Sequence, residues 1–185
     1  AMTVLGETID DAVGEAFDKA AKILGLPYPG GPHIDQLSAT GDSTFMSFNE
    51  SNLPDYNFSF SGMKTSFLYA LQKEMKANPS FINDHLNDIC ASYQAALIKV
   101  LMKKVKAAQK STGIKNVAIA GGVSANSGLR AALMQWGEQS DISIYLPPFQ
   151  YTTDNAAMIG IAGYYQYLEG VNAPLSTSAQ ANIKF

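Results

Sequence analysis

Residues 115–130 read KNVAIAGGVSANSGLR, and their order decides the fold. A β-rich run over residues 115–120 stops at Gly121 and Gly122, and a helical pattern follows over residues 125–139. A second strand pattern covers residues 142–146 (ISIYL). The loop PPFQYTTD then leads into a last helix over residues 155–169. Strand, helix, strand, helix at these lengths predicts a βαβ unit with parallel strands. Glycines at the strand end let a ligand approach the backbone closely, because they carry no Cβ. The helix that follows offers unpaired N–H groups and a partial positive charge, which suit phosphate. Asn126, in its first turn, carries an amide able to bond ribose or phosphate oxygens. A plain βα turn capped by Ser124 satisfies the same pattern, so both readings stand.

Upstream of this unit the chain is helical. Ile9, Ala12, Val13, Ala16, Phe17, Ala20, Ile23 and Leu24 recur at helical spacing, which predicts a first helix with Thr8 as N-cap, Asp10 and Asp11 in its first turn, and Gly25 as its stop. Asp11, Glu15 and Asp18 fall on its opposite face, either as ligand carboxylates or as a solvated surface with an Asp18–Lys22 pair. The loop PYPGGP over residues 27–32 precedes a short helix ending near Gly41. There Gly30 and Gly31 can expose backbone donors, and Asp35 reads as a ribose ligand or as a capping carboxylate. Residues 42–57 are polar and irregular. NFSFSGMK alternates as an extended segment. Helices are expected over residues 64–75 and, beyond Pro79, over residues 81–111. Lys99, Lys103, Lys104, Lys106 and Lys110 on the long helix are either a solvated face, complementing the helix C-terminus, or contacts for nucleic-acid phosphates. Asp154, between the last loop and helix, is either an N-cap or a metal or phosphate-side carboxylate at the C-terminal edge of a parallel sheet.

Composition sets limits. The 185 residues suit one domain, 46% hydrophobic and 16% charged, with net charge −3; that is a core-forming balance and not a basic nucleic-acid module as a whole. The single Cys90 permits no internal disulfide, fits a reducing cytoplasm, and sits in a helical run where a small buried thiol is expected. No apolar run is long enough for a membrane span, and no signal peptide is visible.

Four stretches occur in order: GETIDDAVGEAFDKAAKILGLPYPGGP (residues 6–32), FSFSGMKT (58–65), AGGVSANSGLR (120–130) and TDNAAMIG (153–160). Together they resemble the TsaD/YgjD (Gcp) family of tRNA N6-threonylcarbamoyladenosine biosynthesis proteins, formerly called O-sialoglycoprotein endopeptidases. The resemblance runs from Leu5 to about Gly170 and matches the family's C-terminal half. It implies an α/β, helix-rich part of the actin, sugar-kinase and heat-shock ATPase (ribonuclease H-like) fold. Residues 1–185 would form a single nucleotide-binding lobe, with an irregular insertion near residues 42–62 and a tail over residues 170–185. The implied activity is transfer of a threonylcarbamoyl group from threonylcarbamoyl-AMP to N6 of adenosine 37 in tRNA. By the same resemblance Asp18, Gly31 and Asp35 would contact ribose or adenosine. Gly121, Gly122 and Asn126 would close over the nucleoside and α-phosphate, and Asp154 would bind a divalent metal, iron or zinc.

The chain also departs from that pattern. The family's paired metal histidines and its N-terminal phosphate loop have no counterpart here, since His33 and His85 form no such pair. The expectation is therefore a C-terminal piece that is inactive alone, lacks the metal, and self-associates through its uncovered sheet edge. The full-length protein would bind ATP or the adenylate, tRNA and partner subunits in the cytoplasm, without a membrane. Two other readings are a nucleotide-binding scaffold with no activity of its own and a metalloendopeptidase. A sugar or acid kinase of the same superfamily is disfavoured by FSFSGMKT and the acidic GEAFD helix.

Overall fold

The computed structural model describes residues 3–49 and 53–179. Seven α-helices, two short 3-10 turns and two strands follow in the order α1 Val13–Ile23, α2 Gly30–Ser38, α3 Ser61–Ala77, α4 Phe81–Asp84, α5 Leu86–Thr112, β1 Asn116–Ala118, a 3-10 turn Gly122–Ala125, α6 Ser127–Ser140, β2 Ser143–Tyr145, a 3-10 turn Phe149–Tyr151 and α7 Ala156–Leu168. β1 and β2 pair in parallel, with Val117 opposite Ile144. The expected βαβ unit and helix-rich α/β class are both present.

The apolar stripes read from the sequence explain the packing. Ala16, Phe17, Ala20 and Ala21 of α1, Ile34 of α2, Met63, Phe67 and Leu71 of α3, and Ile89, Tyr93 and Leu97 of α5 meet in one buried cluster. Phe67 lies 4.5 Å from Tyr93 and 5.4 Å from Phe48 between ring centres, within the range where aromatic pairs add to simple burial. The second half of α5 enters a smaller cluster, in which Met102 meets Leu129, Leu133 and Trp136 of α6. Val117, Ile119, Ile144 and Leu146 lay the inner face of the sheet on it. Helix α5 is thus the beam shared by both clusters.

Several boundaries differ from the expectation, each for a local reason. The first helix starts at Val13 and not after Thr8. Thr8 forms a parallel bridge with Phe58, and Asp10 is drawn away to α3. There its carboxylate accepts the N–H groups of Phe60 and Ser61 and the hydroxyls of Ser59 and Ser61. Helix α3 lacks a capping side chain of its own, so Asp10 satisfies its first turn from a distance. That also starts α3 at Ser61, inside the expected irregular stretch of residues 42–62. Residues 50–52 of that stretch, and residues 180–185 of the tail, lie outside the described residues. The long helix breaks at His85, whose φ −127° and ψ 25° are not helical; its ring stacks on Phe45 at 4.7 Å and lies tilted against Phe81 at 5.1 Å. The strands are three residues each, shorter than the apolar runs that announced them. Among the described residues no helix is long and apolar enough to cross a membrane.

Candidate functional site

The Gly-rich turn lies where four elements converge. Gly121 has φ +85°, a conformation that glycine adopts without penalty, and it turns the chain out of β1 into the 3-10 turn. Val123 on that turn packs toward α1, close enough that a Cβ at Gly14 would sit 3.4 Å from it. Helix α1 in turn packs on α2, and α2 reaches the start of α6 through Asp35.

Asp11, Glu15, Asp18 and Asp35 are here, and each is engaged. Asp18 Oδ1 accepts the Gly30 N–H at 2.7 Å. Because Pro29 supplies no capping side chain, Asp18 caps α2 from the neighbouring helix. Lys19, and not Lys22, carries the ion pairs of this face, at 2.6 Å to Asp11 and 2.8 Å to Glu15. The hydrogen bonds it donates to those two carboxylates raise its pKa above the ordinary lysine value. Asp35 does not cap its own helix. Its two oxygens accept the Ser127 N–H at 2.9 Å and the Ser127 hydroxyl at 2.8 Å, which docks α2 onto the first turn of α6. A carboxylate has about four acceptor positions, so both aspartates retain capacity for a ligand.

Asn126 is the N-cap of α6. Its Oδ1 accepts the Leu129 N–H at 2.9 Å, and its Nδ2 donates to Gln94 Oε1 of α5 at 2.7 Å. The cap that the sequence offered to Ser124 therefore falls to Asn126. Ser124 is 2% exposed, and its hydroxyl has no hydrogen-bond partner among the described residues. One Nδ2 hydrogen of Asn126 is left for another acceptor.

The glycines divide into two kinds. A Cβ at Gly30 would meet the Ala21 Cβ at 2.3 Å and the Asp18 Cα at 3.1 Å, so the α1–α2 contact itself requires glycine there. Gly31 would meet only the Phe17 Cβ at 3.9 Å, and Gly122 nothing within 4 Å. Neither packing nor a positive φ explains those two, and a side chain at either would find open space.

Asp154 is exposed in the loop before α7. It is not the N-cap of that helix; Asn155 is, accepting the Met158 N–H at 3.1 Å. Among the described residues no three His, Cys, Asp or Glu side chains come together as a cation site. His33 lies on α2, and His85 is held in its aromatic stack. A divalent metal of the kind the family resemblance implied does not fit the donors of the described residues taken alone.

Arg130 was not singled out in the sequence. Its Nε donates to the Ser124 carbonyl and its Nη2 to the Pro147 carbonyl, both at 2.6 Å. Its guanidinium also lies 4.2 Å from the centre of the Phe149 ring. It ties the Gly-rich turn to the loop that leads to Asp154. A cation in the first turn of a helix opposes the helix dipole, and that misplaced charge was the available signal. Cys90 is fully buried, and burial pushes its thiol up to about 12, which makes it inert.

A family model described as TsaD, tRNA N6-adenosine threonylcarbamoyltransferase, matches residues 1–161. Curated relatives bearing that same name include one from Christiangramia forsetii, 56% identical over 100% of this chain and 54% of its own length. The relative from Cytophaga hutchinsonii is 55% identical over 99% of this chain and 53% of its own length. A more distant one from Thermosipho africanus is 46% identical over 98% of this chain and 54% of its own length. The chain thus spans about half the length of the curated relatives it matches.

Proposed function

Because this chain belongs to the TsaD family of tRNA N6-adenosine threonylcarbamoyltransferases, we propose that it is the C-terminal, nucleotide-binding lobe of such an enzyme. The lobe holds the adenosine part of ATP or of threonylcarbamoyl-AMP while the threonylcarbamoyl group passes to N6 of adenosine 37 in tRNA. Gly121, Gly122 and Asn126 lie over the nucleoside and α-phosphate, where the α6 N-terminus favours an anion. Asp18, Gly31 and Asp35 line the ribose side. Asp154 supplies one donor to a divalent iron or zinc ion whose remaining donors come from outside this chain. The adenylate is a mixed anhydride prone to hydrolysis, so excluding water is a main task of the site. The reading places the protein in the cytoplasm with tRNA and with partner subunits. The observation that carries it is the open backbone at Gly31 and Gly122 beside two aspartates and a helix N-terminus.

A second reading, a scaffold that binds nucleotide without activity of its own, draws on the engagement of Asp18, Asp35 and Asn126 in contacts within the protein. The chain also self-associates on this proposal, because Tyr145 on the sheet and nearly all of α7 present apolar surface to solvent.

Variants of Asn126 or Asp18 would confound ligand loss with loss of a helix cap, so glycine variants make the cleaner experiment. Gly31→Ala and Gly122→Ala meet no close atom in the protein, and the expectation is an unchanged melting temperature with ATP binding weakened at least tenfold in calorimetry. Gly30→Ala, driven into Ala21, should instead destabilise the fold by roughly 1–3 kcal/mol. ATP affinity equal to wild type in both Gly31→Ala and Gly122→Ala would remove the proposed site.

A further inference from the structure

We propose that Gln94 is a positioning residue for nucleotide binding: it fixes the side-chain amide of Asn126 so that one Nδ2 hydrogen is presented to an oxygen of the nucleotide. The inference rests on the reading of Asn126 as a nucleotide contact and adds what holds that contact in place. Gln94 was not singled out in the sequence. It stands on the buried face of α5, with Cys90, Ala91 and Leu97 as its neighbours one turn away. A polar side chain in such a place costs stability unless its polar atoms are bonded. Gln94 is 7% exposed and Asn126 8%, so water competes little for the 2.7 Å bond between Asn126 Nδ2 and Gln94 Oε1.

The direction of this bond is fixed. The Leu129 N–H can only donate, so the Asn126 atom that faces it is Oδ1, at 2.9 Å. Nδ2 therefore faces α5, and Gln94 must meet it with its carbonyl oxygen. The amide is thus held at both ends, by the backbone of α6 and by a side chain of α5. Nδ2 carries two hydrogens, and one of them remains for a ligand. With the cap bond alone, the amide plane could turn about Oδ1, and that hydrogen would have no set direction. The carboxylates nearby are its complement. Asp18 and Asp35 accept hydrogen bonds and so suit ligand hydroxyls, whereas the Asn126 hydrogen suits a ligand lone pair.

A second observation shows that room is made for Gln94. A Cβ at Gly128 would stand 3.0 Å from Gln94 Nε2 and 2.8 Å from Ile98 Cδ1. Gly128 lies in the first turn of α6, where glycine weakens a helix relative to alanine. Cohesion between the two helices does not demand this arrangement. Met102, Leu129, Leu133 and Trp136 already join α5 to α6, and replacing both partners of a buried hydrogen bond by apolar groups of the same shape can be nearly neutral for stability. The glutamine, its matching glycine and the directed bond serve the orientation of Asn126.

The test is ATP binding by the full-length protein in calorimetry, with thermal melting as the readout of the fold. Gln94→Met keeps the length of the side chain and offers only a weak sulfur acceptor. It should bind ATP about five- to tenfold more weakly, the worth of one hydrogen bond, while still melting cooperatively. Gln94→Glu keeps an acceptor oxygen whether or not its carboxyl is protonated, and should return ATP affinity to within about twofold of wild type. Asn126→Ser keeps a capping hydroxyl and has no amide to orient. In that background Gln94→Met should change ATP affinity by less than about twofold, because a residue that acts through another adds nothing once the other is gone. ATP affinity equal to wild type in Gln94→Met overturns the role and leaves the proposed function standing. A loss that Gln94→Glu does not reverse, or that persists in full in the Asn126→Ser background, makes Gln94 a packing residue and also overturns it. Wild type that binds no ATP overturns both the role and the reading beneath it.

Discussion

The two ends of the molecule ended in opposite environments, and the more apolar of them is the one that faces water. Between α1 and the first half of α5, apolar side chains find partners on three sides: Ala16, Ile34, Phe67 and Tyr93 are all fully buried. In α7 (AAMIGIAGYYQYL) no residue is buried, and Ile159, Tyr165 and Tyr167 are 74%, 60% and 70% exposed. Periodicity separates the two regions. The α1 stripe has a polar back, as a helix packed on one side requires. Helix α7 carries no charged residue and has no polar face, the pattern of a helix meant to be surrounded. Its covering is not among the described residues, and the chain spans only about half the length of its relatives.

The contrast can be broken most forcefully in the helical core. Phe67→Ala should cost about 3–5 kcal/mol, read as a lowered midpoint in denaturant titration. A cost below about 1 kcal/mol would mean that the aromatic cluster of Phe48, Phe67 and Tyr93 does not organise this half.

A smaller effect belongs to Asp10, which staples the N-terminal segment to α3. Burial would push its carboxyl up, but the hydroxyls of Ser59 and Ser61 and the N–H groups of Phe60 and Ser61 hold it well below the usual carboxylate range. A depressed folded pKa stabilises the fold above the unfolded value, near pH 4, and that contribution fades as the pH falls further. Asp10→Asn should lower stability near neutral pH by about 1 kcal/mol, as for a lost helix cap on an exposed residue, and the gap to wild type should begin to narrow below about pH 4 and go on narrowing as the pH falls toward the depressed folded value. Melting temperatures scanned from pH 7 to pH 2.5 check both statements; a gap that stays constant across the scan would remove the electrostatic account.

The smallest change in stability is expected in α7. Ile159→Ser with Tyr165→Ser should shift the stability of this chain by less than about 0.5 kcal/mol, because both side chains already face water. The same pair should reduce self-association in light scattering. Wild type that stays monomeric at high concentration would show that α7 and the sheet edge do not draw copies together.

Much of this was legible in advance. The βαβ unit, its parallel pairing and the buried stripes of α1 and α5 follow from period and punctuation, and the Gly-rich turn stands where strand gives way to helix. Partners were harder to read than elements. Asp10 was expected in the first turn of α1, and it caps α3 from fifty residues away in sequence. Asp35 was open to being the cap of its own helix, and it holds the start of α6 instead. Ser124 and Asp154 were offered as caps, and the neighbours Asn126 and Asn155 took both places. One position along the chain decides which side chain faces the free N–H groups, and that depends on how the preceding turn is wound.

The amino-acid sequence by itself determined that the chain is a helix-rich α/β protein with a glycine turn feeding a helix N-terminus, because hydrophobic period and glycine placement act over a few neighbouring residues. The tertiary structure alone decided which carboxylate caps which helix and that Gly30 serves packing while Gly31 and Gly122 leave open backbone. It also showed that α7 stands uncovered. Each of these depends on distances between segments far apart in sequence, and such distances exist only once the helices have packed.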